Sequence, residues 1–164
     1  MAAYSVTPIG HLETPWATPA DCPRNGRQPD PLPECRAVVS PEFQDGLLGL
    51  DGFSHLILLY HLHQASGARL TVTPFLDDRP HGIFATRSPA RPNPLGLSTV
   101  RLLGVEGTTL RIADLDIVDG TPLLDIKPYV PAIDDRADVR IGWFEGKVER
   151  ARTIIADGRF RNAP

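Results

Sequence analysis

The residues best suited to binding chemistry lie in a proline-rich stretch, residues 87–98. Its three prolines fix the backbone dihedral φ and restrict the residues before them, so this loop is predicted to be stiff. A stiff loop holds Arg87, Arg91 and Asn93 in set directions, and a guanidinium held in this way is a bidentate clamp for a carboxylate or a phosphate. The alternative is a hairpin connection whose arginines lie in water. We favour the clamp, because two turn residues are enough for a simple hairpin.

A second segment, residues 114–129, combines carboxylates with a tight turn. Asp119 is followed by glycine, a turn dipeptide, so the segment is predicted to run strand, turn, strand. Asp116 and Asp125 lie within apolar runs. A carboxylate there is either buried beside a partner such as Lys127, or faces a site where it holds a cation or accepts a proton. Ordinary turn acidity is the simpler interpretation of Asp119.

Imidazoles on a predicted strand are the third candidate. Within residues 53–64, a period of two places Leu56, Leu58, Tyr60 and Leu62 on one face, and three histidines, at positions 55, 61 and 63, on the other. The pair at 61 and 63 has the spacing by which a strand offers two ligands to one metal ion. A third ligand at a characteristic spacing is missing from the sequence. We therefore predict histidines that line a pocket, and no metal.

Length and composition limit the class of protein. The chain has 164 residues, of which 41% are hydrophobic and 23% charged, values typical of a globular domain with a packed core. We expect one domain over residues 1–164, with a core at about 4–145 and a helix and tail at 146–164. The 17 prolines and 14 glycines disfavour long helices. The formal charge of -3 provides no global field for a polyanion, so any contact with nucleic acid must be local.

Several functional classes are disfavoured by what the sequence lacks. The N-terminal residues have neither the basic segment nor the apolar stretch of a secretory signal, and the longest apolar run, residues 56–60, is far below the roughly 20 residues of a spanning helix. We expect a cytoplasmic protein outside the membrane. Cys22 and Cys35 match no zinc or disulfide pattern and receive no role. The glycine fingerprint of Rossmann folds, the Walker motif and the nucleophile elbow are missing from the sequence.

Short strands with turn signals about every ten residues dominate the predicted secondary structure, as in a sandwich or barrel. A proline-rich loop is predicted between Glu13 and Glu34, a short helical turn opened by Ser40 over residues 41–50, and a longer helix over residues 144–156. The predicted strands, seven or eight in number, are residues 4–9, 35–39, 53–64, 70–75, 82–87, 97–105, 109–116 and 122–126.

Three motifs carry a resemblance to a known family: Phe53-Ser54-His55, the stretch of residues 82–98 and the stretch of residues 115–129. In these motifs the sequence resembles the TsaA-like family, over roughly residues 4–145. That family includes the TrmO tRNA methyltransferases, which methylate N6 of threonylcarbamoyladenosine at position 37. The resemblance implies an all-β fold, a small closed or partly open β-barrel with a C-terminal helix. It also implies a homodimer that binds S-adenosylmethionine near the subunit interface.

The resemblance also assigns residues to the methyl donor. The Pro-Arg-Gln motif of the family falls on Pro23-Arg24-Asn25, where Asn25 stands in place of Gln, and Arg27-Gln28 offers a second alignment. Arginine suits the carboxylate of the donor, and carboxylates or carbonyl dipoles suit its sulfonium. The other positions expected to contact the donor are His63, Gln64, Arg87, Leu97, Asp116, Ile117, Val118 and Asp119.

The methyl acceptor and the groups that act on it are a further expectation. Methyl transfer needs proximity, alignment and removal of a proton from N6. The candidates for holding or deprotonating the acceptor are Asp125, Lys127 and Tyr129, with His55 a weaker one. None of them is assigned by spacing alone.

Three functions stay open at this point. Longer members of the family carry a further C-terminal domain, and a tRNA reader is expected to gain affinity from phosphate contacts. Arginines at 136, 140, 150, 152, 159 and 161 form either a local basic patch or a solvated helix face. The hypotheses are a tRNA methyltransferase, a methyltransferase of a small molecule, and a barrel that binds the donor or a metal without catalysis.

Overall fold

The computed structural model describes residues 3–23, 32–65 and 67–153. The strands in this part of the chain are β1 (Gly10–Glu13), β2 (Cys35–Val39), β3 (His55–His61), β4 (Thr71–Val72), β5 (His81–Gly82), β6 (Leu95–Glu106), β7 (Thr109–Ala113) and β8 (Thr121–Pro128). Six of them close an antiparallel barrel in the order β1-β2-β7-β6-β3-β8, with β8 pairing back onto β1. The other two, β4 and β5, pair with each other. The predicted small β-barrel is therefore confirmed, and its closure leaves no free sheet edge in the barrel.

The helical elements are short. Two α-helices, α1 (Pro131–Asp134) and α2 (Val148–Thr153), are accompanied by 3₁₀ turns at Pro41–Leu47, Leu50–Gly52, Ile83–Ala85 and Gly142–Phe144. The turn predicted after Ser40 is confirmed. The helix predicted over residues 144–156 is wrong at its start, because Gly146 adopts a left-handed φ of 71° and separates the last 3₁₀ turn from α2. Residues 154–156 of that prediction lie outside the described residues. No helix in the described ranges is long and apolar enough to cross a membrane.

Alternation along β3 builds the centre of the core. Leu56, Leu58 and Tyr60 are buried, whereas the residues between them face outward, as the period of two predicts. The side chains packed inside the barrel include Leu12, Cys35, Ala37, Val39, Val100, Leu110, Ile112, Leu115 and Leu123. A barrel of this size is filled by its own side chains, so a ligand site must be built from the connections between strands.

The first predicted strand, residues 4–9, is wrong. Tyr4 is 94% exposed, and pairing starts only at Gly10, next to the Ile9 N–H that donates to the Leu123 carbonyl. A Cβ on residue 10 would overlap the Val38 carbonyl, so glycine is what lets β1 approach β2 closely. The proline-rich loop predicted after β1 is confirmed over residues 14–23 and 32–34.

The strands predicted at residues 70–75 and 82–87 are wrong over most of their length. In each arm of the hairpin, only the two residues of β4 or β5 form ladder pairs. The chain then enters the 3₁₀ turn Ile83–Ala85. Pro74 lacks the N–H that a longer ladder needs. The strand predicted over 109–116 ends at Ala113, because Asp114 has a left-handed φ of 68°.

Tyr60 and Gly96 stand opposite each other where β3 pairs with β6. A Cβ on residue 96 would overlap atoms of the Tyr60 ring, so the missing side chain gives the ring its place against β6. The Tyr60 hydroxyl thereby lies 2.8 Å from Ser98 Oγ.

Gly96→Ala is expected to lower the free energy of unfolding by about 1–3 kcal/mol, the usual cost of overpacking a core. Gly104→Ala in the same strand is the matched control, because its Cβ would lie 3.9 Å from Arg111 Nη1, an ordinary contact. The control should stay within about 0.5 kcal/mol of the parent protein. Urea unfolding followed by circular dichroism measures both, and equal effects would contradict the close approach of Tyr60 to Gly96.

Candidate functional site

The candidate site is arranged around Tyr60, which β3 holds on its buried face. Burial is the main cause that raises the pKa of Tyr60 to about 12; the Ser98 hydrogen bond opposes this shift, and the negative charge of Asp116 adds to it. The charge of Arg87 lowers the pKa of the same phenol, and Cys22 raises it only where its thiol is ionised. Ser98 therefore contacts the hydroxyl directly, and Arg87, Asp116 and Cys22 lie near enough to influence it.

Arg87 lies at the start of the proline-rich loop, and its guanidinium is exposed. Its Nη2 donates to the Leu97 carbonyl at 3.3 Å, which ties the loop to β6. The guanidinium of Arg91 has a different use, since it donates to the carbonyls of Ile83 at 3.2 Å and Thr86 at 2.9 Å. Arg91 thus braces the loop from within, and Arg87 is the arginine directed to the site.

The segment between β7 and β8 brings one carboxylate to Tyr60. The charge of Asp116 raises the pKa of both Tyr60 and Cys22, so this carboxylate acts on both groups. The predicted donor contacts Ile117 and Val118 are buried, and their carbonyls accept hydrogen bonds from Thr14 Oγ1 at 2.8 Å and Thr121 Oγ1 at 2.6 Å.

Asp119, at the end of that segment, holds the loop after β1 in place. Its Oδ1 accepts the Thr14 N–H at 2.9 Å, and its own N–H donates to the Trp16 carbonyl at 2.8 Å. The loop therefore starts fixed to the Asp116 segment and leads from there to Cys22. The structure thus gives Asp119 a bracing contact, and its predicted contact with the donor stays a prediction.

Cys22 was given no role from the sequence, yet it lies in the site. Burial first, then the charges of Asp116 and Asp21, raise the pKa of Cys22 to about 12. The Sγ donates to the Thr18 carbonyl at 3.5 Å, and Asp21 Oδ2 accepts both the N–H and the hydroxyl of Thr18. Pro23 follows directly and is half-buried. The predicted donor contacts Arg24 and Asn25, and the alternative pair Arg27 and Gln28, lie outside the described residues.

His63 and Gln64 stand in an exposed turn just beyond β3. The Leu62 N–H donates to the Pro94 carbonyl at 2.7 Å, so this turn adjoins the proline-rich loop. His55 and His61 begin and end β3, about 20 Å apart at the rise of an extended strand. In residues 3–23, 32–65 and 67–153, no group of three or more His, Cys, Asp or Glu side chains could hold a metal ion.

The residues predicted to act on the acceptor follow the outer side of β8. Asp125 Oδ2 and Lys127 Nζ are 2.7 Å apart, and both side chains are about half exposed. The Tyr129 hydroxyl donates to Asp135 Oδ1 at 2.6 Å, and the ring of Tyr129 lies edge-on to His55. The structure therefore brings Asp125 and Lys127 into one pair and gives Tyr129 separate partners.

The strand register relates this pair to the Tyr60 site. Asp125 is opposite Leu59 on β3, and Leu59 is opposite Leu97 on β6. Two strand spacings, about 10 Å, therefore separate Asp125 from the residue whose carbonyl accepts Arg87. Directly paired residues share a face of the sheet, so Asp125 lies on the outward face together with Leu97, while Tyr60 points inward.

The side chains present fit a ligand such as S-adenosylmethionine. Arg87 suits its carboxylate, and Asp116 suits a cationic centre or a ribose hydroxyl. Leu95 and Leu97 are about half exposed and offer an apolar surface to a planar ring. The sequence prediction missed Tyr60, Ser98 and Cys22. Tyr60 could have been found as the one phenol on an otherwise aliphatic strand face, together with the glycine at position 96.

Comparison with known proteins places the chain among methyl-transfer proteins. The family model described as the tRNA-methyltransferase O N-terminal domain matches residues 11–135. A probable S-adenosyl-L-methionine-binding protein of Pyrococcus abyssi is 50% identical over 93% of this chain and 83% of that protein. The tRNA (adenine(37)-N6)-methyltransferase of Escherichia coli K12 is 36% identical over 84% of this chain and 63% of its own length. The crystal structure of TrmO from Pseudomonas aeruginosa has a TM-score of 0.71 and 38% identity, over 87% of this chain and 63% of that chain.

Asp116→Asn is expected to speed the alkylation of Cys22. The Asp116 carboxylate disfavours the thiolate, so removing its charge lowers the pKa of Cys22 and raises the thiolate fraction at a given pH. We expect the rate with iodoacetamide at about pH 8 to rise severalfold, since one pKa unit changes the thiolate fraction about tenfold. Mass spectrometry of the Cys22 peptide in a Cys35→Ala background measures the rate.

The matched control for this experiment is Asp114→Asn. Asp114 belongs to the same segment, but its carboxylate lies 3.6 Å from Arg101, and asparagine tolerates its left-handed backbone. The control should alkylate at the background rate. An unchanged alkylation rate for Asp116→Asn would show that the Asp116 charge does not act on Cys22, and would contradict the site described above.

Proposed function

The chain belongs to the tRNA-methyltransferase O N-terminal domain family, and on that premise we propose that it is an S-adenosylmethionine-dependent methyltransferase. We propose as its reaction the N6-methylation of threonylcarbamoyladenosine at position 37 of tRNA. The observation that carries the proposal is that Arg87 is held at the Leu97 carbonyl, next to the residue Ser98 that hydrogen-bonds Tyr60, with Asp116 near enough to act on the same phenol. The relative from Escherichia coli, named a tRNA (adenine(37)-N6)-methyltransferase, supports the acceptor.

Arg87 and Asp116 are the charged groups that we propose for holding the donor. The guanidinium of Arg87 binds the donor carboxylate while one of its nitrogens donates to Leu97. Asp116 stabilises the cationic part, and the flanking predicted contacts, His63, Gln64 and the stretch of residues 23–25, complete the binding surface in this proposal. S-adenosylmethionine, when bound, supplies an electrophilic methyl group on a sulfonium.

The raised pKa values of the site protect that chemistry. With a pKa of about 12, the thiol of Cys22 and the phenol of Tyr60 both stay protonated near neutral pH. A thiolate is a far stronger nucleophile than a thiol, so a neutral Cys22 does not compete for the methyl group. The protonated phenol of Tyr60 is hydrogen-bonded to Ser98, and this bond fixes the orientation of the phenol in the site.

Asp125 and Lys127 are the pair that we propose for the acceptor. The carboxylate of Asp125 is the group that we propose takes the proton from N6, and Lys127 orients it at 2.7 Å. The Ile126 N–H donates to the second carboxylate oxygen at 2.9 Å, which fixes the rotamer. Tyr129, beside His55, contributes to holding the acceptor.

We further propose that residues 1–164 form one domain and that the protein acts in the cytoplasm as a homodimer. The support for a dimer is the surface beside Arg87, where Leu95 and Leu97 of β6 are about half exposed. Exposed leucines next to a ligand-binding group favour cover by another subunit, and a two-fold axis would give each copy the same interface.

A small-molecule acceptor is the second candidate function, and one observation favours it. The Arg136 guanidinium donates to the carbonyls of Ile133 and Asp135, so it caps α1 and is not presented to a phosphate. Arg140 and Arg150 are exposed. The side chain of Arg152, and residues 159 and 161, lie outside the described side chains, so the basic patch stays a prediction.

Arg87→Ala is expected to weaken the binding of S-adenosylmethionine about 30-fold. A hydrogen bond to a charged group contributes about 1.5–3 kcal/mol, and each 1.4 kcal/mol is a factor of ten. Calorimetric titration measures the dissociation constant, and Arg69→Ala, an exposed arginine near the same loop, is the control expected to bind as the parent does. Equal affinities for both variants would refute the role of Arg87.

Asp125→Asn is expected to slow methyl transfer at least 100-fold while donor affinity stays unchanged, because general base catalysis contributes about 10²–10⁴ in rate. The assay follows labelled methyl groups into total tRNA from a strain that lacks this modification. Asp45→Asn, an exposed carboxylate on a 3₁₀ turn, is the control. A parent protein that binds the donor but labels no tRNA would favour the small-molecule acceptor.

A further inference from the structure

A cluster behind the Arg87 loop joins two distant stretches of the chain. Asp77 and His81 come from the hairpin of β4 and β5, and Trp143 and Lys147 come from the segment that precedes α2. We refer to these four residues as the clasp. The family model ends at residue 135, so two members of the clasp lie beyond the matched region.

The ionic half of the clasp is a partly buried carboxylate between two basic groups. Asp77 Oδ2 lies 2.6 Å from Lys147 Nζ and 3.2 Å from His81 Nε2, and the Asp77 side chain is only 15% exposed. The hydrogen bond from Lys147 is the largest cause that holds the pKa of Asp77 well below its ordinary range. A carboxyl with a lowered pKa stabilises the fold above its unfolded pKa and loses this only as the pH falls through the folded value. The clasp is therefore closed near neutral pH.

The aromatic half of the clasp reaches the Arg87 loop directly. The Trp143 ring stacks on His81, with ring centroids 4.9 Å apart and an interplanar angle of 24°. Its Nε1 donates to the Ala85 carbonyl at 2.7 Å. Ala85 precedes Arg87 by two residues, so the indole fixes the backbone immediately before the arginine that we assign to the donor.

The carbonyls around Arg87 are fixed by side chains on several sides. Arg91 donates to the carbonyls of Ile83 and Thr86. Trp143 donates to the carbonyl of Ala85, the residue just before Thr86. The Thr86 hydroxyl also donates to Ile83, at 2.9 Å. Consecutive peptide groups held in this way leave Arg87 little freedom of backbone direction, and preorganised groups bind with less ordering cost.

We propose that the clasp positions Arg87 for the donor and that Trp143 is its positioning residue. The inference rests on the proposed function, in which Arg87 binds the carboxylate of S-adenosylmethionine. The ion pair of Lys147 and Asp77 holds the segment that carries Trp143 against β5. Trp143 in turn restrains the backbone at Ala85, two residues before Arg87, through its hydrogen bond. The clasp thus sets donor affinity without touching the donor.

The test is the donor dissociation constant of the full chain with Trp143→Phe, which keeps an aromatic ring on His81 but removes the N–H donated to Ala85. Calorimetric titration should show affinity lowered about fivefold, the factor for one lost neutral hydrogen bond. In an Arg87→Ala background the same substitution should change affinity less than about 1.5-fold, because a positioning effect needs the arginine that it positions. A general loss of structure would lower affinity in both backgrounds.

Variants of Lys147 keep the proposal testable if Trp143→Phe does not fold. Lys147→Met removes the charge and keeps the apolar stem, and should weaken donor binding in the same direction; Lys147→Arg should restore it. A parent protein that binds no S-adenosylmethionine would overturn the proposed function. A parent that binds, with a folded Trp143→Phe of unchanged affinity or with equal losses in both backgrounds, would overturn the clasp alone.

Discussion

The close approach of β6 to β3 is the constraint on which the site depends. Only a glycine at position 96 leaves room for the Tyr60 ring, and only that ring position brings the phenol to Ser98. With the phenol in place, Arg87 at the Leu97 carbonyl and Asp116 both lie near enough to influence one buried hydroxyl. A side chain at residue 96 would displace the ring and thereby the common neighbour of both charged groups.

Much of the fold follows from local sequence patterns. The observed strands differ from the predicted ones where a distant strand determines the pairing. The strands β2 and β3 need only the pattern of their own residues, so the sequence predicted both of them. The start of β1 depends on the space that Gly10 leaves for Val38, a residue of another strand. Residues 70–87 carry a strand-like alternation, but the barrel is already closed by six other strands, and only a short hairpin forms there.

The candidate site likewise contains residues that the local sequence predicts and residues that only distant contacts place. Arg87 and Asp116 were singled out from stiff or acidic surroundings that the sequence displays directly. The place of Cys22 in the site depends on Thr14, which Asp119 and Ile117 bind across 105 and 103 residues of sequence. Such contacts leave no periodic trace in the chain, so a lone cysteine in a proline-rich loop received no role.

A barrel filled by its own side chains has a consequence for how its connections must behave. Arg87 and Asp116, the charged residues assigned to the donor, come from connections, and the connections carry their own braces: Asp119 binds the loop after β1 to the Asp116 segment, and Asp21 binds Thr18 before Cys22. Arg87 is braced through the carbonyls of the two residues that precede it. These braces are made within the protein itself, so the described parts of these loops bind a ligand at a lower ordering cost. Contacts that touch no ligand therefore control how well the loops bind one.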